Sequence, residues 1–100
     1  MPGFTALVPS LYSTAARARV IGDELAEEVA RTRRQAVALC TEGWRGRARE
    51  AFDRGFADWD VGARELIAAL ERLAESLEDC GRAYASCDAV ASDELLRDAS

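Results

Sequence analysis

Apolar and small residues recur through the first half of the chain at Val8, Leu11, Ala15, Ala18, Gly22, Leu25, Val29, Thr32, Ala36 and Leu39. Their steps alternate between three and four, the period of one helix face. This predicts a first helix over about 9–41. Pro9 suits a first helical turn, where its missing N–H has no intrahelical acceptor to lose, and Ser10 or Ser13 suits a cap. The pattern stops at Thr41-Glu42-Gly43-Trp44-Arg45-Gly46, where two glycines suit a reversal of the chain. A turn is expected over 42–46. From Phe52 the stripe resumes as Phe52, Phe56, Trp59, Ala63, Leu66, Leu70, Leu73, Leu77, Cys80, Tyr84 and Cys87, again stepping four and three. A second helix is predicted over about 47–91, and Gly55, Gly62 and Gly81 lower its propensity without interrupting the stripe. The acidic tail, 92–100, reads as a frayed helix end or a disordered segment, with no role assigned to it.

So short a connection leaves an antiparallel helical hairpin as the expected arrangement. At 1.5 Å per residue the helices would be roughly 45 and 65 Å long, which puts the start of the first opposite about position 80 of the second. Tyr84, Cys87 and Asp88 would then overhang. The Ala- and Gly-rich face of the first helix is also too small to bury the whole Leu ladder. The fold class is therefore all-α: an antiparallel helix-turn-helix hairpin, one domain over 1–100, that dimerises into a four-helix bundle with a copy of itself or with another chain.

Composition supports the helical reading and narrows the chemistry. The chain has 100 residues, 49% of them hydrophobic, with 20 Ala, 13 Arg, no Lys and no His. Ala, Arg and Leu are strong helix formers, and Pro occurs only at Pro2 and Pro9. No stretch approaches the roughly 20 apolar residues of a membrane span, and Met1 to Ser13 lacks the basic and apolar regions of a secretory signal. The net charge of -5 is unevenly spread. Seven Arg face three acids between Arg31 and Arg54, against six Arg and fifteen acids elsewhere, so a basic turn end opposes an acidic open end. A solvated helix surface explains this distribution, and so does orientation of an antiparallel partner. Nucleic acid is not expected as a partner, because a basic balance and a reading motif are both missing.

Catalytic candidates fail on spacing. Cys40, Cys80 and Cys87 contain no CxxC pair and have no His to complete a zinc site or a Cys–His nucleophile. Cys80 and Cys87 lie seven apart on one helix, and Cys40 is most of a hairpin length from Cys80, too far for a disulfide. Buried free thiols on the stripe are the expectation, with an intermolecular bridge as the alternative. Adjacent carboxylates such as Glu27 with Glu28, or Glu78 with Asp79, diverge on a helix and form no acid–base couple. Arg64 with Glu71 and Glu75 reads as decoration of one helix face. No enzyme is expected, and no cofactor or metal.

Two motifs remain: Trp44-Arg45-Gly46 in the expected turn, and Tyr84-Ala85-Ser86-Cys87-Asp88 near the end of the second helix. Each has a structural explanation of its own, an indole and a glycine at a reversal, and a phenol and a carboxylate one helical turn apart. Together with the chain length, Ala48, Phe52, the Trp59-Asp60 pair and the Leu ladder, they resemble the WxG family of about one hundred residues. This is the Esx, or early-secretory-antigen, type of type VII secretion substrate. The likeness spans nearly the whole chain, and the Ala- and Arg-rich composition without Lys suits a high-GC actinobacterial genome. The three cysteines and the Arg-rich surround of the turn depart from the family pattern.

The resemblance implies a small non-enzymatic hairpin that pairs with another WxG-family protein or with itself. It implies export by a type VII system without a cleavable signal peptide, from a cytoplasmic start, and an escort role for a larger effector or toxin. In the family a Tyr-x-x-x-Asp segment of one chain and the Trp-x-Gly turn of its partner form a composite signal read by the secretion ATPase. By that resemblance Tyr84 and Asp88 would be the secretion signal, with Trp44 and Gly46 as the turn motif. The expected dimer interface is Phe52, Phe56, Trp59, Leu66, Leu70, Leu73, Leu77, Cys80 and Cys87. The alternative is a cytoplasmic helical-bundle adaptor or chaperone that is never secreted. The amphipathic second helix also fits a membrane surface, but the same stripe is what a bundle interface requires.

Overall fold

The computed structural model describes the backbone of residues 2–41 and 45–99 and the side chains of 6–41 and 45–98. Two helices, α1 (Pro2–Thr41) and α2 (Arg47–Ala99), form a hairpin 81 Å long and 16 Å across. Four contacts set an antiparallel register. Arg33 pairs with Asp60, and the Cys40 thiol donates to Asp53 Oδ1 at 3.9 Å. A Cβ built on Gly22 would stand 3.8 Å from Leu70 Cβ, and Gly81 lies against the Tyr12 ring.

Both helices are longer than the pattern predicts. Helix α1 begins at Pro2, which takes the early position where a missing N–H is harmless, so Pro9 is inside the helix and Ser10 and Ser13 are not its caps. Pro9 removes only the bond its N–H would have made to the Thr5 carbonyl, and the rest of the 40-residue helix continues past it. Helix α2 runs through the expected tail to Ala99, because Glu94, Leu95, Leu96 and Arg97 are good helix formers and Arg97 favours the negative end of the dipole. By the observed register α1 reaches level with about position 91 rather than about position 80. Even so, every described side chain from Arg82 to Asp98 is exposed.

The reversal depends on backbone detail. Gly46 has φ of 78°, a conformation that costs any residue with a Cβ, and its carbonyl accepts from the Glu50 N–H at 3.1 Å to start α2. Arg49, in the first turn of α2, donates to the Cys40 carbonyl at 3.2 Å and so satisfies a free acceptor at the end of α1.

The core is a narrow seam of small side chains. Ala15 and Ala74 are fully enclosed, Ala18, Val29, Ala36 and Gly81 are buried, and Leu77 packs on the cluster of Ala15, Ala18 and Ala74. No large side chain among the described residues is fully enclosed. Small residues let the helix axes approach closely, so the hairpin is held along a line rather than around a filled interior.

Candidate functional site

The expected stripe of α2 divides into two rows. Phe56, Ala63, Leu70 and Leu77, each seven apart, are half-buried toward α1 beside a seam row of Asp60, Ile67, Ala74 and Gly81. Trp59, Leu66, Leu73, Cys80 and Cys87, also seven apart, are exposed, with Trp59 at 41%, Leu66 at 52% and Leu73 at 48%. Phe52 heads this second row but is half-buried at the turn end, where its ring stacks on Phe56 with centroids 6.0 Å apart. Phe56 in turn meets Trp59 at 5.3 Å. Of the residues expected to face a partner, Phe56, Leu70 and Leu77 thus already face the chain's own α1.

Because the helices are antiparallel, equal rotational steps from the seam lead to the same side of the hairpin. On one side lie the Tyr12, Arg19, Arg33 and Cys40 row of α1 and the Glu71 and Glu78 row of α2. Arg19 Nη2 donates to Glu78 Oε1 at 2.8 Å and to Glu71 Oε1 at 3.3 Å. Asp60 accepts from Arg33 and, at 3.1 Å, from Arg64. The hydrogen bond from Arg19 holds the Glu78 carboxyl below its ordinary range despite desolvation, and Arg33, aided by Arg64, does the same for Asp60. The bond to Glu78 is also the main cause that raises the Arg19 pKa, with Glu71 adding to it. This flank is sealed by charge. On the other side lie the exposed row of α2 and, on α1, the exposed Ile21 and Leu39.

Of the residues expected to form a secretion signal, Gly46 and the Tyr84–Asp88 pair lie toward opposite ends of the hairpin. Tyr84 and Asp88 are exposed on adjacent turns of α2, roughly 55 Å along the helix from Arg47. Gly46 makes the left-handed turn before α2, and Trp44 lies outside the described residues. One hairpin does not bring the two halves together.

The thiols depart from expectation. All three cysteines are free, but Cys80 and Cys87 are exposed and Cys40 is half-buried, because the row carrying Cys80 and Cys87 faces away from the seam. Glu71 also departs: it reaches across the seam to Arg19, while Arg64 bonds Asp60. The inter-helix role of Arg19, Glu71 and Glu78 was missed. Its trace in the sequence is the seven-residue spacing of the two acids beside the seam, which acquires meaning only once the register is known.

Near the turn an open groove of about 320 Å³ is lined by Ala36, Val37, Cys40, Thr41, Arg49, Phe52, Asp53 and Phe56. Its polar groups are engaged with one another, Cys40 with Asp53 and Arg49 with Asp53 at 3.2 Å. Among the described residues no group of three His, Cys, Asp or Glu is arranged to hold a metal ion, and no helix is long and apolar enough to cross a membrane.

A thin hairpin with one flank closed by ion pairs and the other carrying a continuous apolar row defines a small helical interaction protein. The chain belongs to the WXG100 family, proteins of 100 residues with WXG, whose model matches residues 8–89. The matched span includes Trp44, Gly46, Tyr84 and Asp88. The family comprises small helical non-enzymatic proteins secreted by type VII systems, and its members typically pair with other WXG proteins. No curated protein and no solved structure matches the chain.

Proposed function

We propose that this chain is a substrate of a type VII secretion system, exported as one half of a four-helix bundle, with an escort role for a larger effector. The observation that carries the reading is the exposed row of Trp59, Leu66 and Leu73 beside a sealed opposite flank, within a chain of this family. A hairpin with so small an enclosed core gains most by covering that row with two further helices. In this reading Tyr84 and Asp88 of one chain and the Trp44–Gly46 turn of its antiparallel partner form the signal recognised by the secretion ATPase. The distance between the motifs within one hairpin favours such an arrangement, since a second chain running the other way brings an end of each kind together.

The test is the partition of an epitope-tagged chain between culture filtrate and lysate in its native host, for the wild type and Tyr84→Ala, with a cytosolic marker to report lysis. Wild type outside and a folded Tyr84→Ala retained inside supports both the export reading and the role of Tyr84. Wild type retained despite an intact secretion system and a co-expressed partner overturns the export reading in favour of a cytoplasmic adaptor.

A further inference from the structure

We infer that the turn end of the hairpin docks end-on against the headgroups of an anionic lipid bilayer, through four arginines that the fold leaves without partners. The inference does not rest on the export reading. Of the seven Arg between Arg31 and Arg54, three are engaged within the chain: Arg31 with Glu28, Arg33 with Asp60, and Arg49 with Asp53 and the Cys40 carbonyl. Arg34, Arg45, Arg47 and Arg54 are exposed and make no ion pair among the described residues. Arg45 and Arg47 flank Gly46 at the reversal itself. Arg34 and Arg54 lie roughly 10 Å back along α1 and α2, so all four are within about one Debye length of the tip.

The charge of the rod is polarised along its length. Seven Arg against three acids leave a net +4 over 31–54, and six Arg against fifteen acids leave −9 over the rest of the chain. Asp88, Asp93 and Glu94 stand roughly 60–70 Å along α2 from Arg47, several Debye lengths from any surface that the tip touches. A chain of net negative charge can therefore meet a negative surface tip first and in no other orientation.

The spread of the four arginines favours a plane of charge over a single acidic helix. Arg34 is on α1, Arg45 precedes α2, and Arg47 and Arg54 are one heptad apart on the side of α2 away from the Trp59 row. They surround the end of a rod 16 Å across, and one helix laid against that end would reach only some of them. A bilayer reaches all. The Cα–Cβ bonds of α2 tilt toward its N-terminus, which aims Arg47 and Arg54 at the tip. Trp44, next to Arg45 in the sequence, is a residue type suited to the headgroup layer.

The experiment is sedimentation of the purified chain with vesicles of phosphatidylcholine containing phosphatidylglycerol, and with vesicles of phosphatidylcholine alone. Two double variants of equal charge are compared, Arg45→Gln with Arg47→Gln at the tip, and Arg17→Gln with Arg72→Gln, two exposed and unpaired arginines elsewhere. Circular dichroism reports that each remains helical. Quenching by brominated lipid then compares Trp44→Phe, which leaves Trp59 as the only indole, with Trp59→Phe, which leaves Trp44.

The expected result is binding to the anionic vesicles alone, weakened by added salt. An arginine near such a surface is worth about fivefold in affinity, so the tip variant should bind at least 10-fold more weakly and the control variant less than about threefold. Trp44 should be quenched and Trp59 should not. No binding to anionic vesicles at low salt overturns the inference and leaves an acidic protein surface as the occupant of the tip. Equal losses in the two double variants overturn the assignment to the tip. Binding to both kinds of vesicle with Trp59 quenched overturns the end-on orientation in favour of α2 lying flat on its apolar row. A chain that binds vesicles as described yet stays in the lysate overturns the export reading alone.

Discussion

The two flanks of the hairpin lie side by side on the same pair of helices and use opposite chemistry. On one, Arg19 spans Glu71 and Glu78 while Arg33 and Arg64 converge on Asp60, so the charges meet within the chain. On the other, Trp59, Leu66 and Leu73 face outward. A solvent-exposed ion pair adds little stability and falls with salt, so the sealed flank mainly sets register and discourages a partner from that side. Apolar area left on the open flank is a source of binding free energy that the isolated chain does not use. The contrast between the flanks gives the hairpin a direction for association.

Substitutions at neighbouring positions separate seam from open flank most strongly. Ala74→Leu forces a large side chain into a fully enclosed position and should cost about 1–3 kcal/mol of stability, read by urea denaturation followed by circular dichroism. Leu73→Ala, one residue away on the open side, should change the stability of the monomeric hairpin by less than about 0.5 kcal/mol while weakening association. Equal losses in the monomer at the two positions would remove the division into rows.

The turn comes next in size. Gly46→Ala should lose about 1–2 kcal/mol by the same assay, because its φ of 78° is strained for a residue with a Cβ although no atom crowds the site. Gly62→Ala works the other way: it lies inside α2 with open space around its Cβ position and should gain up to about 1 kcal/mol through helix propensity alone. That gain should be present whether or not a partner is bound.

The smallest effect separates the flanks by pH. Glu78 and Asp60 have carboxyl pKa values lowered in the fold, so their contribution is fully present above the ordinary carboxylate values of about 4. It is lost as pH falls through the lowered values. Thermal melts of the wild type should therefore drop in midpoint below about pH 4. An Arg19→Gln, Arg33→Gln double variant should show a shallower drop. Parallel pH curves for the two proteins would mean that the sealed flank has no share in the acid response.

Much of the architecture was legible in the pattern. Nine of the ten positions read as the face of α1, from Val8 to Ala36, are buried or half-buried toward α2, and Leu39 alone of that set is exposed. The two-helix hairpin, with Gly46 before α2 and Tyr84 and Asp88 on it, follows from spacing in the same way. The stripe of α2 was harder. Ten large or sulfur-bearing residues and Ala63, at steps of three and four, make a band two rows wide, and periodicity does not say which row one neighbouring helix will choose. The helix ends were also misjudged, since Pro9 and the acidic tail resemble boundaries locally yet remain within long helices.

The sequence by itself determined that this protein is two amphipathic helices joined at a glycine turn, because heptad-like spacing and helix propensity are local properties that no partner need supply. Only the tertiary structure decided where α1 sits on α2. It rests over Ala74 and Gly81, beside Glu71 and Glu78, rather than over the row of Trp59, Leu66 and Leu73, because small side chains allow close approach and the arginines of α1 find acids at that register. That choice left Trp59, Leu66 and Leu73 on the outside, where the physical reason for a second hairpin lies.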